Sequence, residues 1–159
     1  MRVIVTGATS FIGSHAVQAL VSQGFEVCAL IRPNSAGKKN LEQMIIKKEV
    51  LEIIECELSG LKELAVNAEK LSKIGQKWSH DLGRADYWLH LGWDGSGSDN
   101  RKLADIQSMN AVYALDALET AAAAHCKRFL FCGSQAEYGV RNTTMRETDE
   151  LHPLSEYGK

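Results

Sequence analysis

Residues 2–23 read RVIVTGATSFIGSHAVQALVSQ, and the fold is decided there. Val3, Ile4 and Val5 are a short β-branched run, the composition of a buried strand. Thr6-Gly7-Ala8-Thr9-Ser10-Phe11-Ile12-Gly13 then turns the chain, and Ser14 to Gln23 predicts a helix. A strand, a glycine-bearing turn and a helix in that order form an anion cradle. The first N–H groups of the helix have no carbonyl of their own helix to bond, and the positive end of its dipole faces the same way. The pattern T-G-x-x-S-x-x-G is not G-x-G-x-x-G, so the turn alone also fits a plain strand-to-helix connection. The strand before it and the helix after it favour phosphate binding. Gly7, Thr9, Ser10, Phe11, Ile12 and Gly13 are the candidate cofactor contacts.

Outward from this stretch, strand and helix patterns alternate. Glu26 to Ile31 is a second strand, Asn40 to Lys48 a weak helix, and Val50 to Glu55 a third strand. Leu61 to Ile74 has a helical stripe of Leu61, Leu64, Ala65, Ala68, Leu71 and Ile74. Asp86 to Leu91 is a fourth strand, followed by a glycine-rich polar loop from Gly92 to Asn100. Lys102 to Ala124 is a long helix and Arg128 to Cys132 a fifth strand; the remainder is loop and the start of a further helix. This alternation predicts an α/β fold, a doubly wound parallel sheet of about five strands covered on both faces. Such sheets bind ligands at the carboxyl ends of their strands. That places Gly7 to Gly13, Arg32, Glu57, Gly92, Trp93 and Ser134 among the functional candidates.

Composition narrows the function. A chain of 159 residues suits one domain with a real core. With 45% apolar residues, 24% charged residues and a net charge of −2, it offers no electrostatic case for nucleic acid or an anionic membrane. No apolar run approaches the roughly 20 residues that span a bilayer. The strand at the very N-terminus lacks a signal-peptide layout, which predicts a cytoplasmic protein. Cys28, Cys56, Cys126 and Cys132 have neither metal-ligand nor C-x-x-C spacing, so reduced thiols and no metal site are expected.

The end of the second strand bears on cofactor choice. A carboxylate there, about 20 residues after the turn, would bond the adenosine ribose hydroxyls. Arg32 stands there instead. It cannot accept those hydrogen bonds, but it can pair with a 2′-phosphate and stack on adenine, which favours NADP over NAD. In the long helix, Leu103, Ile106, Met109 and Tyr113 form one stripe, and Val112, Leu115, Leu118 and Ala122 another. Two readings stay open: a helix lodged between the sheet and nearby loops, or a homodimer formed through residues 102–124.

Two later stretches, Phe131-Cys132-Gly133-Ser134-Gln135-Ala136-Glu137-Tyr138-Gly139 and Pro153-Leu154-Ser155-Glu156-Tyr157-Gly158-Lys159, complete a pattern. The chain resembles the extended short-chain dehydrogenase/reductases, in particular the NAD(P)-dependent nucleotide-sugar epimerase/dehydratase family, over about the first half of such a protein. Thr6 to Gly13 resembles the family's TGxxGxxG turn, with Ser10 at the middle glycine, where the backbone nears the pyrophosphate. Glu57-Leu58 matches the acidic-apolar pair that contacts adenine. His90-Leu91-Gly92-Trp93 resembles the H-L-A-A stretch beside the nicotinamide. Asn110 matches the asparagine supporting the proton relay, Ser134 the serine that holds the reacting oxygen, and Tyr157 the catalytic tyrosine of Y-x-x-x-K.

The resemblance implies a Rossmann-type NAD(P)-binding domain, incomplete over residues 1–159, whose C-terminal substrate domain is absent. It implies a nucleotide-sugar epimerase or keto-sugar reductase that couples Tyr/Ser proton transfer to hydride transfer. A lysine is expected at position 161, and Lys159, roughly 200° around a helix from Tyr157, should not replace it. Gln135-Ala136 stands where sugar dehydratases carry an Asp-Glu pair, which argues against 4,6-dehydration. Gln135 is a candidate substrate contact beside Ser134; Glu137 is open to a sugar contact too, and is read rather as a solvated or structural carboxylate. The alternative is a non-catalytic NADP-binding sensor or scaffold, which has no need for Ser134 or Tyr157.

Overall fold

The computed structural model describes residues 1–45, 48–67 and 84–159. Its sheet has five parallel strands: β1 (Arg2–Thr6), β2 (Glu26–Ile31), β3 (Leu51–Glu55), β4 (Tyr87–His90) and β5 (Arg128–Phe131), in the order β3-β2-β1-β4-β5. The order reverses between β1 and β4, which is the switch point where doubly wound sheets bind ligands. The predicted Rossmann-type sheet is therefore present.

Alternation along each strand separates two cores. Val3, Val5, Val27, Ala29 and Ile31 face α1 (Phe11–Ser22) and α2 (Lys38–Met44), packing with Val17, Val21 and Leu41. Ile4, Cys28, Leu30 and Trp88 pack on the other face with Leu58, Leu61, Leu64 of α3 (Leu61–Val66) and with Ala117 and Ala121 of α4 (Ala104–Ala123). Burying one such Val, Leu or Ile side chain contributes about 1.5–3 kcal/mol, so the double-sided core is what holds the sheet.

Several predicted boundaries move, each for a local reason. Helix α1 starts at Phe11 rather than Ser14, because Ser10 is its N-cap: φ is −69°, ψ is 168°, and the hydroxyl accepts from Gly13 N. Helix α2 occupies Lys38–Met44 rather than 40–48, with Ile45 extended after it. Helix α3 ends at Val66, where Asn67 turns to φ −111°, ψ 98°; the predicted continuation through Ala68, Leu71 and Ile74 lies outside the described residues. Lys102 belongs to a 3-10 turn, Asn100–Lys102, and an extended Leu103 separates it from α4. Cys132 falls just past β5 and is exposed. The expected helix around Tyr157 is a 3-10 turn, Glu156–Gly158.

The chain forms two compact units. The first comprises Met1–Gly92 and Tyr113–Phe131 and contains the whole sheet; the second comprises Trp93–Val112 and Cys132–Lys159. All four cysteines are free thiols. Among the described residues, no helix is long and apolar enough to cross a membrane, and no cluster of His, Cys, Asp and Glu could hold a metal ion.

Candidate functional site

In the first unit the glycine turn forms a cradle at the carboxyl end of β1. Gly7 has φ +66°, and a Cβ there would sit 2.6 Å from the Leu91 carbonyl and 2.7 Å from Gly92 N. Only glycine satisfies both the left-handed backbone and that close approach. Ser10 N donates to Gly7 O and Ser14 N to Ser10 O, while the amides of Phe11 and Ile12 occupy the first two helical positions, where no intrahelical carbonyl is within reach. Two amides at the positive end of a twelve-residue helix suit a diphosphate. The side chains of Phe11 and Ile12 are exposed. Ser10, expected nearest the pyrophosphate, has its oxygen engaged as the cap.

Thr6 and His90 tie this cradle to the segment after β4. They are register partners on adjacent strands. Thr6 Oγ1 accepts from Leu91 N and from Gly92 N, each at 3.2 Å, and lies 2.9 Å from His90 Nδ1. Leu91 N is shared with Thr6 O at 3.3 Å. With both hydroxyl lone pairs facing N–H donors, the hydroxyl proton must go to Nδ1. The imidazole is therefore the neutral tautomer with its proton on Nε2, an atom that has no partner among the described residues. Burial alone pushes the His90 pKa down to about 4. Phe129 and Phe131 stack on the ring, with centroids 5.9 and 6.0 Å away. Sequence reading placed Thr6 in the turn and His90 in the stretch His90-Leu91-Gly92-Trp93 but did not pair them; the signal was a polar residue ending each of two strands that the topology makes neighbours.

The remaining first-unit candidates stand at strand ends, as expected. Arg32 follows β2 and is exposed. Its loop approaches the cradle through Ser35, whose Oγ lies 2.8 Å from Thr9 Oγ1. Glu57 is exposed after β3, whereas the Leu58 side chain is spent in the core.

In the second unit, Ser134 and Glu137 make a reciprocal cap. Ser134 N donates to Glu137 Oε1 at 2.7 Å, and Ala136 N donates to Ser134 Oγ at 3.2 Å. Glu137 is thus a structural carboxylate, and Gln135 is exposed at the first position of the turn Gln135–Tyr138. Tyr157 lies on the turn Glu156–Gly158, which abuts that one: a Cβ on Gly158 would overlap the Ala136 carbonyl. The two turns carrying the serine and the tyrosine are therefore packed together. Asn110 is buried, with its side chain fully used. Its Nδ2 donates to the carbonyls of Asp94 and Ile106, at 2.8 and 3.1 Å, and its Oδ1 accepts from Asp94 N at 2.8 Å. It fixes the loop after Trp93. Trp93 donates from Nε1 to Gln107 Oε1 at 2.8 Å, and its ring meets that of Tyr157 edge-on at 5.9 Å. Lys159 pairs with Glu156 at 2.6 Å, which engages its ammonium away from any relay.

Comparison with known proteins bears on the family and the fold. The family model described as NAD dependent epimerase/dehydratase family matches residues 3–159. The chain is 28% identical over 162 aligned residues to UDP-glucose 4-epimerase 4 of Oryza sativa subsp. japonica, covering 99% of the chain and 41% of the rice protein. It is 25% identical to UDP-glucose 4-epimerase of Pisum sativum, covering 44% of that protein. Among solved structures, the UDP-Glc/GlcNAc 4-epimerase of Campylobacter jejuni superposes with a TM-score of 0.77 at 20% identity, covering 99% of this chain and 44% of that one. The UDP-glucose-4-epimerase of Stenotrophomonas maltophila, solved with bound NAD and formylated UDP-arabinopyranose, gives the same TM-score at 19% identity, with the same coverage of each chain. The chain thus spans less than half the length of these relatives.

Proposed function

The chain belongs to the NAD dependent epimerase/dehydratase family, and from that premise we propose that it is the cofactor-binding part of an NAD(P)-dependent nucleotide-sugar epimerase or keto-sugar reductase. The observation that carries the proposal is the cradle: Gly7 at φ +66°, the open amides of Phe11 and Ile12, and the Thr6-held backbone of Leu91 and Gly92, all at the sheet's switch point. The diphosphate of a dinucleotide fits that cradle. A Cβ on Gly7 would instead collide with the Leu91 carbonyl and Gly92 N beside it.

Bound nicotinamide supplies a reversible hydride acceptor, and the chain's own residues handle the proton. The ionised Tyr157 takes the proton of the sugar hydroxyl as it is oxidised, and the phenol so formed returns it on reduction. The Ser134 hydroxyl holds the reacting oxygen. An ordinary tyrosine titrates near 10, so the reaction calls for an adjacent ammonium, which we assign to a lysine at position 161 of the longer protein. Residues 1–159 alone should bind cofactor without turnover; measurable conversion of a UDP- or dTDP-sugar by this chain alone would refute that. Absence of a lysine at 161 in the longer reading frame would favour the sensor or scaffold reading.

Several solved structures of this fold, the Stenotrophomonas maltophila protein among them, hold NAD. For this chain we propose NADP, on the exposed Arg32 after β2. Calorimetric titration with NAD(H) and NADP(H), repeated on Arg32→Asp, tests both proposals. The substitution should weaken NADP(H) at least tenfold and leave NAD(H) within about threefold, since a charged hydrogen bond to phosphate contributes about 1.5–3 kcal/mol. Equal affinities before and after would remove the 2′-phosphate assignment, and no binding of either would remove the cofactor assignment. We place the protein in the cytoplasm, where four thiols stay reduced. We also propose pairing with a second copy through α4, where Leu115 and Leu118 are 62% and 46% exposed. Sedimentation of Leu115→Glu against the unmodified chain tests that pairing.

A further inference from the structure

Arg101 lies outside every family motif above, yet its guanidinium carbon stands 4.7 Å from the centroid of the Tyr157 ring, over its face. The placement is anchored. Arg101 Nε donates to Ser96 O at 2.8 Å, and Arg101 N donates to Gly97 O at 3.2 Å. The loop that carries it is pinned from beneath by Gln107, which is buried and donates from Nε2 to the carbonyls of Gly95 and Asn100 at 3.1 and 3.0 Å. The same glutamine's Oε1 holds Trp93, whose ring meets Tyr157 edge-on at an interplanar angle of 85°. One loop, 93–101, therefore presents a cation to the face of the tyrosine and an indole to its edge.

From this geometry we infer that Arg101 is a positioning residue for Tyr157, fixing the ring's orientation so that the phenol is held ready for proton transfer. The inference rests on the reading of Tyr157 as the proton-transfer group. A cation over an aromatic face is attracted by the ring quadrupole, and an edge-on aromatic partner adds to the restraint. A turn of three residues offers little rigidity of its own, so a tyrosine on it depends on such neighbours. The nearest other cation in sequence, Lys159, is committed to Glu156. The loop would then act on turnover without touching the sugar, because misplacing a reacting group costs rate even where binding is intact.

Two measurements test this. In the 159-residue chain, the Arg101 Nε–H resonance should lie upfield under the Tyr157 ring and move downfield in Tyr157→Leu; a resonance indifferent to that change overturns the contact. In the full-length protein, UDP-glucose turnover should fall at least a thousandfold in Tyr157→Phe. Arg101→Met should lower kcat on the order of tenfold with KM and cofactor affinity within about twofold. Arg101→Lys should recover most of the loss, and Arg101→Met should cost nothing further in the Tyr157→Phe background. Arg101→Gln serves as the neutral variant if the methionine one fails to fold. Undiminished kcat in the neutral variants with Tyr157→Phe dead overturns the inference and spares the reading of Tyr157. A rise in KM without loss of kcat overturns it in favour of direct substrate binding by Arg101. Full activity in Tyr157→Phe, or no turnover by the unmodified protein, overturns the reading itself and the inference with it.

Discussion

Acid should unfold this protein through His90 before it does so through its carboxylates. The imidazole is 1% exposed, and burial holds its pKa at about 4, against about 6.5 in the unfolded chain. A buried histidine of this kind stabilises the fold only while neutral. Between those two pH values the unfolded chain binds the proton and the folded chain does not, so stability falls as pH falls through that window and levels off below about 4. Integrating the linkage relation between pH 7.5 and pH 5 gives a loss of about 2 kcal/mol, and the full difference approaches about 3 kcal/mol. The geometry agrees with the sign. A proton added at Nδ1 would face a Thr6 hydroxyl whose lone pairs already receive Leu91 N and Gly92 N.

Urea unfolding at a series of pH values from 7.5 to 4.5 measures the slope. The decisive variant is His90→Asn, whose amide oxygen falls near the Nδ1 position and can accept the Thr6 proton but does not titrate. It should be less stable than the unmodified chain at pH 7.5, because the smaller side chain leaves space against Phe129 and Phe131. Its stability should nevertheless be nearly flat across the window. A variant that keeps the original pH slope would refute the assignment. Asp86 supplies the internal control. Its carboxyl is held below the ordinary value by hydrogen bonds from Lys127 and the Arg2 amide, so its contribution is present above about 3.8 and is lost only as pH falls through the lowered value. The two groups act in separate windows.

Other consequences can be checked directly. Ser10→Ala should cost about 1 kcal/mol through the lost N-cap, whereas Ser10→Gly should cost only a few tenths and leave dinucleotide affinity unchanged; equal losses from both, by thermal or urea unfolding, would point away from capping. Gly7→Ala should cost at least about 1 kcal/mol for the left-handed backbone alone, and should also abolish dinucleotide binding by calorimetry, since its Cβ meets the Leu91 carbonyl. Cys126, whose thiol is pushed up to about 11 by burial and then by Asp86, should resist alkylation at pH 7.5 under conditions that label the exposed Cys132 to completion, as read by mass spectrometry.

What could be read from the sequence, and what could not, divides along the range of the interactions. The strands and the cradle are local. A β-branched run, a turn with Gly7 and a helix starting near Ser10 constrain one another within about twenty residues, and only the cap chemistry of Ser10 shifted the boundary. The structural role of Glu137 is local too, because its partner is three residues away. Thr6 and His90 are 84 residues apart and become partners only because β1 lies beside β4. Once the order β3-β2-β1-β4-β5 is known, the polar ends of two neighbouring strands point to the pair; without it they are two unrelated residues. Arg101 and Tyr157 depend on still more: a glycine-rich loop folded back on Gln107, which has neither helical nor strand periodicity to announce its path. Motifs preserve the residues that touch cofactor and substrate, but the groups holding those residues in place are chosen by the surrounding packing.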